Sequence, residues 1–262
     1  MKILSHFLAT VFLVVVHSGR AHPDHAAFHA LNQLDWQTVF ADSGTEDWRE
    51  HWFLDGEYAT ITHDERGMSF CAGPKALDDA HHAVLWTQED FSGDVKIEYE
   101  YTRLDSEIRM VTILYIQATG LGTPGFESDI KTWAHKRKVP KMSTYFRNMN
   151  LYHISYAAFG MKNVDPDNDY IRARRYTGQG LRGTELKNEY THTGLFEPGV
   201  PHQITVIKRD REIFMYVENE ETELLCHFIN ENFDPITEGR IGLRHMYTRS
   251  ARYKNFKIST LE

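Results

Sequence analysis

The chain is poor in the residues from which most cofactor and metal signatures are built. Two cysteines, Cys71 and Cys226, stand in 262 residues, which excludes a disulfide-dense scaffold and a thiolate metal cluster. Both lie in strand-like apolar runs, where buried free thiols are as consistent as a bridge, so the pairing stays open. Proline is scarce, at 8 residues. No Pro- or Ser-rich linker, low-complexity tract or internal repeat divides the chain, which makes one domain over 22–262 the economical reading. There is no Gly-x-Ser-x-Gly elbow, Walker loop or dinucleotide fingerprint. Basic residues do not predominate either: the net charge is −8, against the basic surface that nucleic-acid binding needs.

Long apolar runs are missing after the first twenty residues. At the start, Lys2 is followed by the mostly apolar stretch Ile3 to Val16 and the small-x-small sequence Gly19-Arg20-Ala21. That core is too short for a membrane span and reads as a secretory signal, residues 1–21, cleaved after Ala21. The mature protein is therefore expected to be secreted or periplasmic. Without Lys2 and Arg20 the 29 basic residues become 27 against 37 acidic ones, a net charge of −10.

What the chain has in quantity is β-strand pattern. Ala83 to Thr87 is apolar. Asp94 to Arg103 alternates, with Val95, Ile97, Tyr99 and Tyr101 on one face and Lys96, Glu98 and Glu100 on the other, as in a half-buried antiparallel strand. Ile108 to Ala118 is almost continuously apolar and reads as a central strand covered on both faces. His202 to Val217 reads as a hairpin turning at Arg209-Asp210-Arg211, with closing strands at Arg240 to Met246 and Tyr253 to Ser259. Helix signals are confined to Asp24 to Gln33 and Asp129 to Arg137. Many strands and few helices predict an all-β antiparallel sandwich or jelly roll. Such a fold has one sheet face in the core and a concave outer face suited to an extended sugar chain.

Chemistry concentrates in Lys131 to Tyr176, which holds His135, Tyr145, Arg147, Asn148, His153, Tyr156, Arg172, Arg174 and Arg175. Arg, His, Tyr and Asn are the side chains that bind an anionic sugar and move a proton on it. Alternation places Arg172 and Arg174 opposite Ile171 and Ala173, and places His153 and Ser155 on the face away from Ile154, whose side Tyr152 and Tyr156 share. Arg174 and Arg175 are also consistent with ordinary salt bridges, and His153 with a structural hydrogen bond.

The segments AVLWTQEDFSGDVKIEYEYTRLD, ILYIQATGLG, HQITVIKRDREIFMYV and GRIGLRHMYTRSARYKNFKI together resemble the concanavalin A-like lectin/glucanase superfamily. Within it, YFRNMNLYHISYAAFG and YIRARRY resemble the YesU-like family of secreted bacterial proteins. The resemblance covers nearly all of the mature chain. It implies a jelly roll, a setting in bacterial polysaccharide breakdown, and kinship with an oligosaccharide dehydratase acting on uronic acids of ulvan, a sulfated algal polysaccharide.

A uronic acid yields its alpha proton only when its carboxylate is neutralised, because an enolate dianion develops. A base then takes the proton and an acid serves the departing oxygen. The expectation is a carbon–oxygen lyase working by β-elimination, a dehydratase first and a polysaccharide lyase second. His153 is the expected base and Tyr145 or Tyr156 the acid. Arg172 with Arg174 or Gln117 would clamp the carboxylate. His135, Asn148, His245 and Arg249 are further candidates for the groove wall. The partner is an anionic, uronate-containing oligosaccharide. No cofactor is required: Asp165, Asp167 and Asp169 start like a calcium loop, but Tyr170 replaces its Gly and Thr177 its distal Glu, so an Asx turn is favoured over a structural calcium. The rival is a non-catalytic lectin-like module, which would use aromatic platforms such as Trp86, Trp133 or Tyr190. Paired carboxylates for hydrolysis are not apparent, since Glu98 and Glu100 read as a solvent stripe.

Overall fold

The computed structural model describes residues 23–261. The signal segment expected at residues 1–21 lies outside the described residues, and no helix among those described is long and apolar enough to cross a membrane. In chain order the helix α1 (Pro23–Asn32) precedes β1 (Gln37–Asp42), β2 (Trp52–Asp55), β3 (Thr60–Asp64), β4 (Gly67–Cys71) and β5 (Ala83–Thr87). Next come β6 (Phe91–Ser92), β7 (Val95–Arg103) and β8 (Met110–Gly120). A 3-10 segment (Ile130–Arg137) and the helix α2 (Met142–Asn148) then lead into β9 (Met149–Phe159), β10 (Asp169–Thr177) and β11 (Glu185–Thr191). The last strands are β12 (Pro201–Arg209), β13 (Glu212–Glu218), β14 (Glu223–Ile229), β15 (Glu238–His245) and β16 (Ser250–Thr260).

The strands form two antiparallel sheets packed face to face. The front sheet runs β2-β5-β15-β8-β9-β10-β11 and the back sheet β14-β13-β12-β7-β16-β4-β3, with β1 on β16. They join where β11 meets β14 at Lys187 opposite Ile229. Between them lies the main core, built from Leu85, Leu114, Ile116, Ile154, Ile171 and Leu243 of the front sheet against Ile97, Tyr101, Val206, Met215, Tyr253 and Ile258 of the back. This is the all-β antiparallel sandwich expected from the strand patterns. β7 alternates as read, and β8 is buried along almost its whole length. The hairpin of β12 and β13 turns at Asp210, which takes a left-handed φ of 49°.

Two expectations change. Ile130–Arg137 is a kinked 3-10 segment, not an α-helix, because Trp133 leaves helical geometry to bury its ring. The outer face of the front sheet is also not an open concavity. The 3-10 segment and α2 roof much of it and form a second apolar cluster of Val84, Trp86, Ile113, Tyr115, Trp133, Tyr145 and Tyr176. A sheet face that rich in aromatic surface is stabilised by covering, since each such ring removes about 150–250 Å² from water. Cys71 and Cys226 are free thiols.

Candidate functional site

The site is built from two neighbouring rows of outward side chains on the front sheet. Antiparallel register lines up Phe53, Trp86, Gly242, Tyr115, His153, Arg174 and Glu185 in one row. Two residues along each strand, and four along β11 where the register shifts, the next row is Asp55, Val84, Arg244, Ile113, Ser155, Arg172 and Glu189. Directly opposed side chains in a sheet sit about 4.5–5.5 Å apart, so each row is a line of contacts. Gly242 lets the first row close up: a Cβ there would stand 2.5 Å from ring carbons of Trp86. The indole instead stacks on Tyr115, with ring centroids 5.3 Å apart and planes 10° from parallel.

His153 is at the centre. Its Nδ1 shares a hydrogen bond with the Tyr176 hydroxyl at 2.6 Å, and its Nε2 shares one with the Ser155 hydroxyl at 2.7 Å. Tyr115 meets the imidazole edge-on at 5.6 Å. Burial, then the guanidiniums of Arg174, Arg172 and Arg244, hold His153 well below its ordinary value of 6.5. The ring is therefore neutral at physiological pH. Burial likewise raises Tyr176 and Tyr145 well above 10.0, with Tyr115 adding to the first and Asp55 to the second. Both phenols keep their protons.

At the rim, Arg174 pairs with Glu185 at 2.8 Å and Arg172 with Glu189 at 3.3 Å. Arg172 also lies over the Tyr170 ring at 4.8 Å. Their side chains are 13% and 27% exposed, which makes them the charged groups of these rows open to an incoming anion. At the far end, Asp55 Oδ2 accepts from Trp86 Nε1 at 2.8 Å and from the Tyr145 hydroxyl at 3.0 Å, and pairs with Arg137 Nε. Burial raises the Asp55 carboxyl against the lowering pull of Arg137. Asp55 thus ties the roof to the sheet. Arg244 reaches His82 Nδ1 at 2.9 Å and the Pro140 carbonyl at 2.6 Å, and lies over the Tyr145 ring at 4.5 Å.

Of the residues singled out in the sequence, His153, Arg172, Arg174 and Tyr145 come together on this face. Tyr156 does not: it points between the sheets, where its hydroxyl lies 3.4 Å from that of Tyr253. His245 shares that inner face, hydrogen-bonded to the Tyr253 hydroxyl at 2.8 Å and stacked on Phe70. Gln117 donates to the carbonyls of Phe91 and Gly93 at a strand bulge with φ 52° and takes no part in the rows. Arg249 is buried in a loop tie to Asp105 and to the carbonyls of Arg109 and Met110. His135 is exposed on the 3-10 segment, and Asn148 ends α2 with its side chain donating to the Thr144 carbonyl. Trp86 and Trp133 are buried and offer no exposed platform, while Tyr190 is half-buried against the backbone of His227.

Sequence reasoning passed over Arg244, Tyr115, Tyr176 and Asp55. The signal for Arg244 was present in GRIGLRH, where alternation puts Arg244 and His245 on opposite faces; Ile241 and Leu243 mark the inner one. Nothing in the sequence paired Asp55 with Arg137. Among the described residues no three His, Cys, Asp or Glu side chains are placed to hold a metal ion. Asp165 instead accepts from the Asp167 amide as an Asx turn, and Asp169 binds Thr193.

A family model described as a domain of unknown function (DUF6250) matches residues 77–256. No curated protein matches the chain. Among solved structures, a Bacillus subtilis protein of unknown function with a galectin-like fold superposes with a TM-score of 0.63 at 15% identity, covering 86% of this chain and 97% of its own. The exoplasmic/lumenal domain of VIP36, in a form bound to Ca2+ and Man3GlcNAc, gives 0.55 at 10% identity, covering 87% and 90%. Lectin II from Ulex europaeus gives 0.54 at 8% identity, covering 84% and 97%. The chain has the lectin-like jelly-roll fold of these proteins.

Proposed function

The chain belongs to the family described as a domain of unknown function (DUF6250), and from its site we propose that it binds an acidic oligosaccharide at the outer face of the front sheet. The observation that carries this is the double row in which His153 and Ser155 stand directly beside Arg174 and Arg172. These two guanidiniums, partly exposed at the rim, meet the anionic groups of a uronate-containing glycan. Several structures of the same fold, VIP36 and the Ulex europaeus lectin among them, are sugar-bound or named as lectins, which supports a carbohydrate as the ligand. Export after loss of the leader and the likeness to YesU-like proteins belong to the same reading.

A second reading, β-elimination, is favoured by the 2.6 Å contact of His153 Nδ1 with Tyr176. The imidazole, neutral and so basic, would take the proton alpha to the carboxylate. The C–H electron pair becomes the new double bond, and the C–O pair leaves on the β-oxygen, which receives the Tyr176 proton. Tyr176 regains its proton from the imidazolium through the Nδ1 contact. A hydroxyl leaving as water makes the protein a dehydratase, and a glycosidic oxygen makes it a lyase.

Calorimetric titration with uronate-containing and neutral oligosaccharides, ulvan fragments included, tests the first reading. Saturable binding of the acidic set that weakens at least tenfold in Arg174→Ala is expected, whereas equal preference for neutral chains would sink it. Following ultraviolet absorbance of an unsaturated uronate in the same mixtures tests the second. New absorbance that vanishes in His153→Ala and Tyr176→Phe supports elimination; binding without absorbance rules it out.

A further inference from the structure

The buried arginines divide by what neutralises them. Arg137 faces Asp55, Arg240 faces Asp90 and Asp129, and Arg103 and Arg249 share Asp105. Arg175 sits at the back edge of the front sheet's inner face and gives its donors to the carbonyls of Tyr176 and Asp234. Arg244 is different. It is fully buried on the outer face, has no carboxylate at ion-pair distance among the described residues, and its Nε and Nη1 have no hydrogen-bond partner. The groups that it does reach, a neutral imidazole, a carbonyl and the Tyr115 hydroxyl, leave its charge in place.

Taking a cation out of water costs several kcal/mol unless an anion answers it. Two guanidiniums under the roof, Arg137 and Arg244, stand against the one carboxylate of Asp55, and Arg137 too has two nitrogens without partners. The surroundings of Arg244 are mostly phenolic: the Tyr145 ring lies against it, Tyr115 and Tyr176 lie close by, and Asp55 acts on it only from beyond ion-pair distance. Trp86 and Tyr115 stack on each other and on the Tyr145 ring of α2, so an apolar face opens beside Arg244 only when Tyr145 moves away.

We propose that Arg244 is the anchor for a carboxylate group of the ligand, a uronate held beneath α2 with its ring against Trp86 and Tyr115. The assignment rests on the acidic-glycan reading and adds to it the group recognised and the residue that recognises it. A guanidinium offers two parallel N–H donors in the geometry of a carboxylate, so a planar carboxylate suits it better than a single hydroxyl. Arg172 and Arg174, already paired with Glu189 and Glu185, then meet the ligand at the rim, and Arg244 reads its acid group inside. Entry requires α2 to lift from the sheet, which loosens the Tyr145 contact to Asp55 while Arg137 and Trp86 still hold that carboxylate.

The test is calorimetric titration of the full chain with a glucuronate-ended trisaccharide and with the same trisaccharide after reduction of its carboxyl group to an alcohol. Wild type should bind the acid at least tenfold more tightly than the alcohol. Arg244→Met, which fills similar volume without charge, should bind the two forms equally, with acid affinity down about a hundredfold. Arg244→Lys should recover only part of the preference, because an ammonium lacks the paired donors. Wild type binding both forms equally would overturn the assignment and leave glycan binding standing. Binding of neither form would overturn both. An Arg244→Met protein that keeps the preference for the acid also overturns the assignment, and if that variant does not fold, the wild-type comparison of acid with alcohol decides alone.

Discussion

The outward faces of the two sheets follow the same alternation and reach opposite states. On the back sheet, Glu98 and Glu100 of β7 stand beside Gln203 and Thr205 of β12 and Lys254 and Lys257 of β16, in contact with water. Only its other half is covered, where α1 lays Phe28 on Phe214 and Tyr216. On the front sheet the equally polar set of Asp55, Arg244, His153 and Ser155 is buried beneath a roof. Water satisfies the first set at no structural cost. The second must find its partners within the protein, since a buried charge without one is penalised by several kcal/mol. Polar residues in strands thus mark a site only where something covers them.

That contrast can be broken most forcefully at Asp55. Asp55→Asn keeps the shape but leaves Arg137 with no carboxylate, and it should lower the unfolding free energy by about 3–5 kcal/mol. Glu98→Gln on the back face should change it by less than about 0.5 kcal/mol. Urea unfolding of both variants checks this, and similar small losses would mean that the front-face network is no more demanding than the solvated stripe.

Acid should expose the same difference at the next scale. Burial pushes His82 and His245 down to about 3, and His153 is also held well below 6.5. Their folded values lie below the unfolded one, so above about 6.5 their contribution is complete. As pH falls from there toward the folded values, the unfolded chain binds more protons and stability drops. Each such histidine contributes about 1.4 kcal/mol per pH unit to that slope. Asp55, raised by burial, acts in the opposite sense and offsets part of it. Urea midpoints measured between about pH 7 and 4 should fall steeply, and His245→Phe should flatten the slope by about one histidine's share. An unchanged slope would remove His245 from the account.

The smallest effect on stability is expected at the rim. Arg174→Ala breaks a pair with a partner that is 47% exposed, Glu185, and should cost less than about 1 kcal/mol. Lys254→Ala on the back face should cost no more. Only the first should weaken acidic-glycan binding. Equal effects of the two on titration would make the attraction a property of overall charge, not of the front face.

Much of this was legible before the structure. Period-two alternation in β7, β9 and β10 named the faces correctly, because neighbouring side chains in a strand must point to opposite sides. The grouping of His153 with Arg172 and Arg174 follows from alternation plus adjacency of β9 and β10. Residue type alone points to Tyr156 and His245, although the same alternation places Tyr156 inward beside Ile154 and His245 beside Leu243. Type outweighed face, and the structure puts both in the tyrosine-lined core between the sheets. Gln117 leaves the expected clamp because a bulge between Ile116 and Thr119 shifts the register, which no pattern in ILYIQATG announces.

By itself, then, the sequence determined an all-β antiparallel sandwich, several of the strands that build it, and which way His153 on one strand and Arg172 and Arg174 on another face. These follow from local alternation, which acts over a few residues. Only the tertiary structure decided that this face lies under a roof, that Asp55 holds Arg137 from 82 positions away, and that Arg244 is enclosed with no carboxylate at ion-pair distance among the described residues. Those facts depend on which strands become neighbours and on what the segment before β9 packs against, and both are settled by burial of surface across the whole chain.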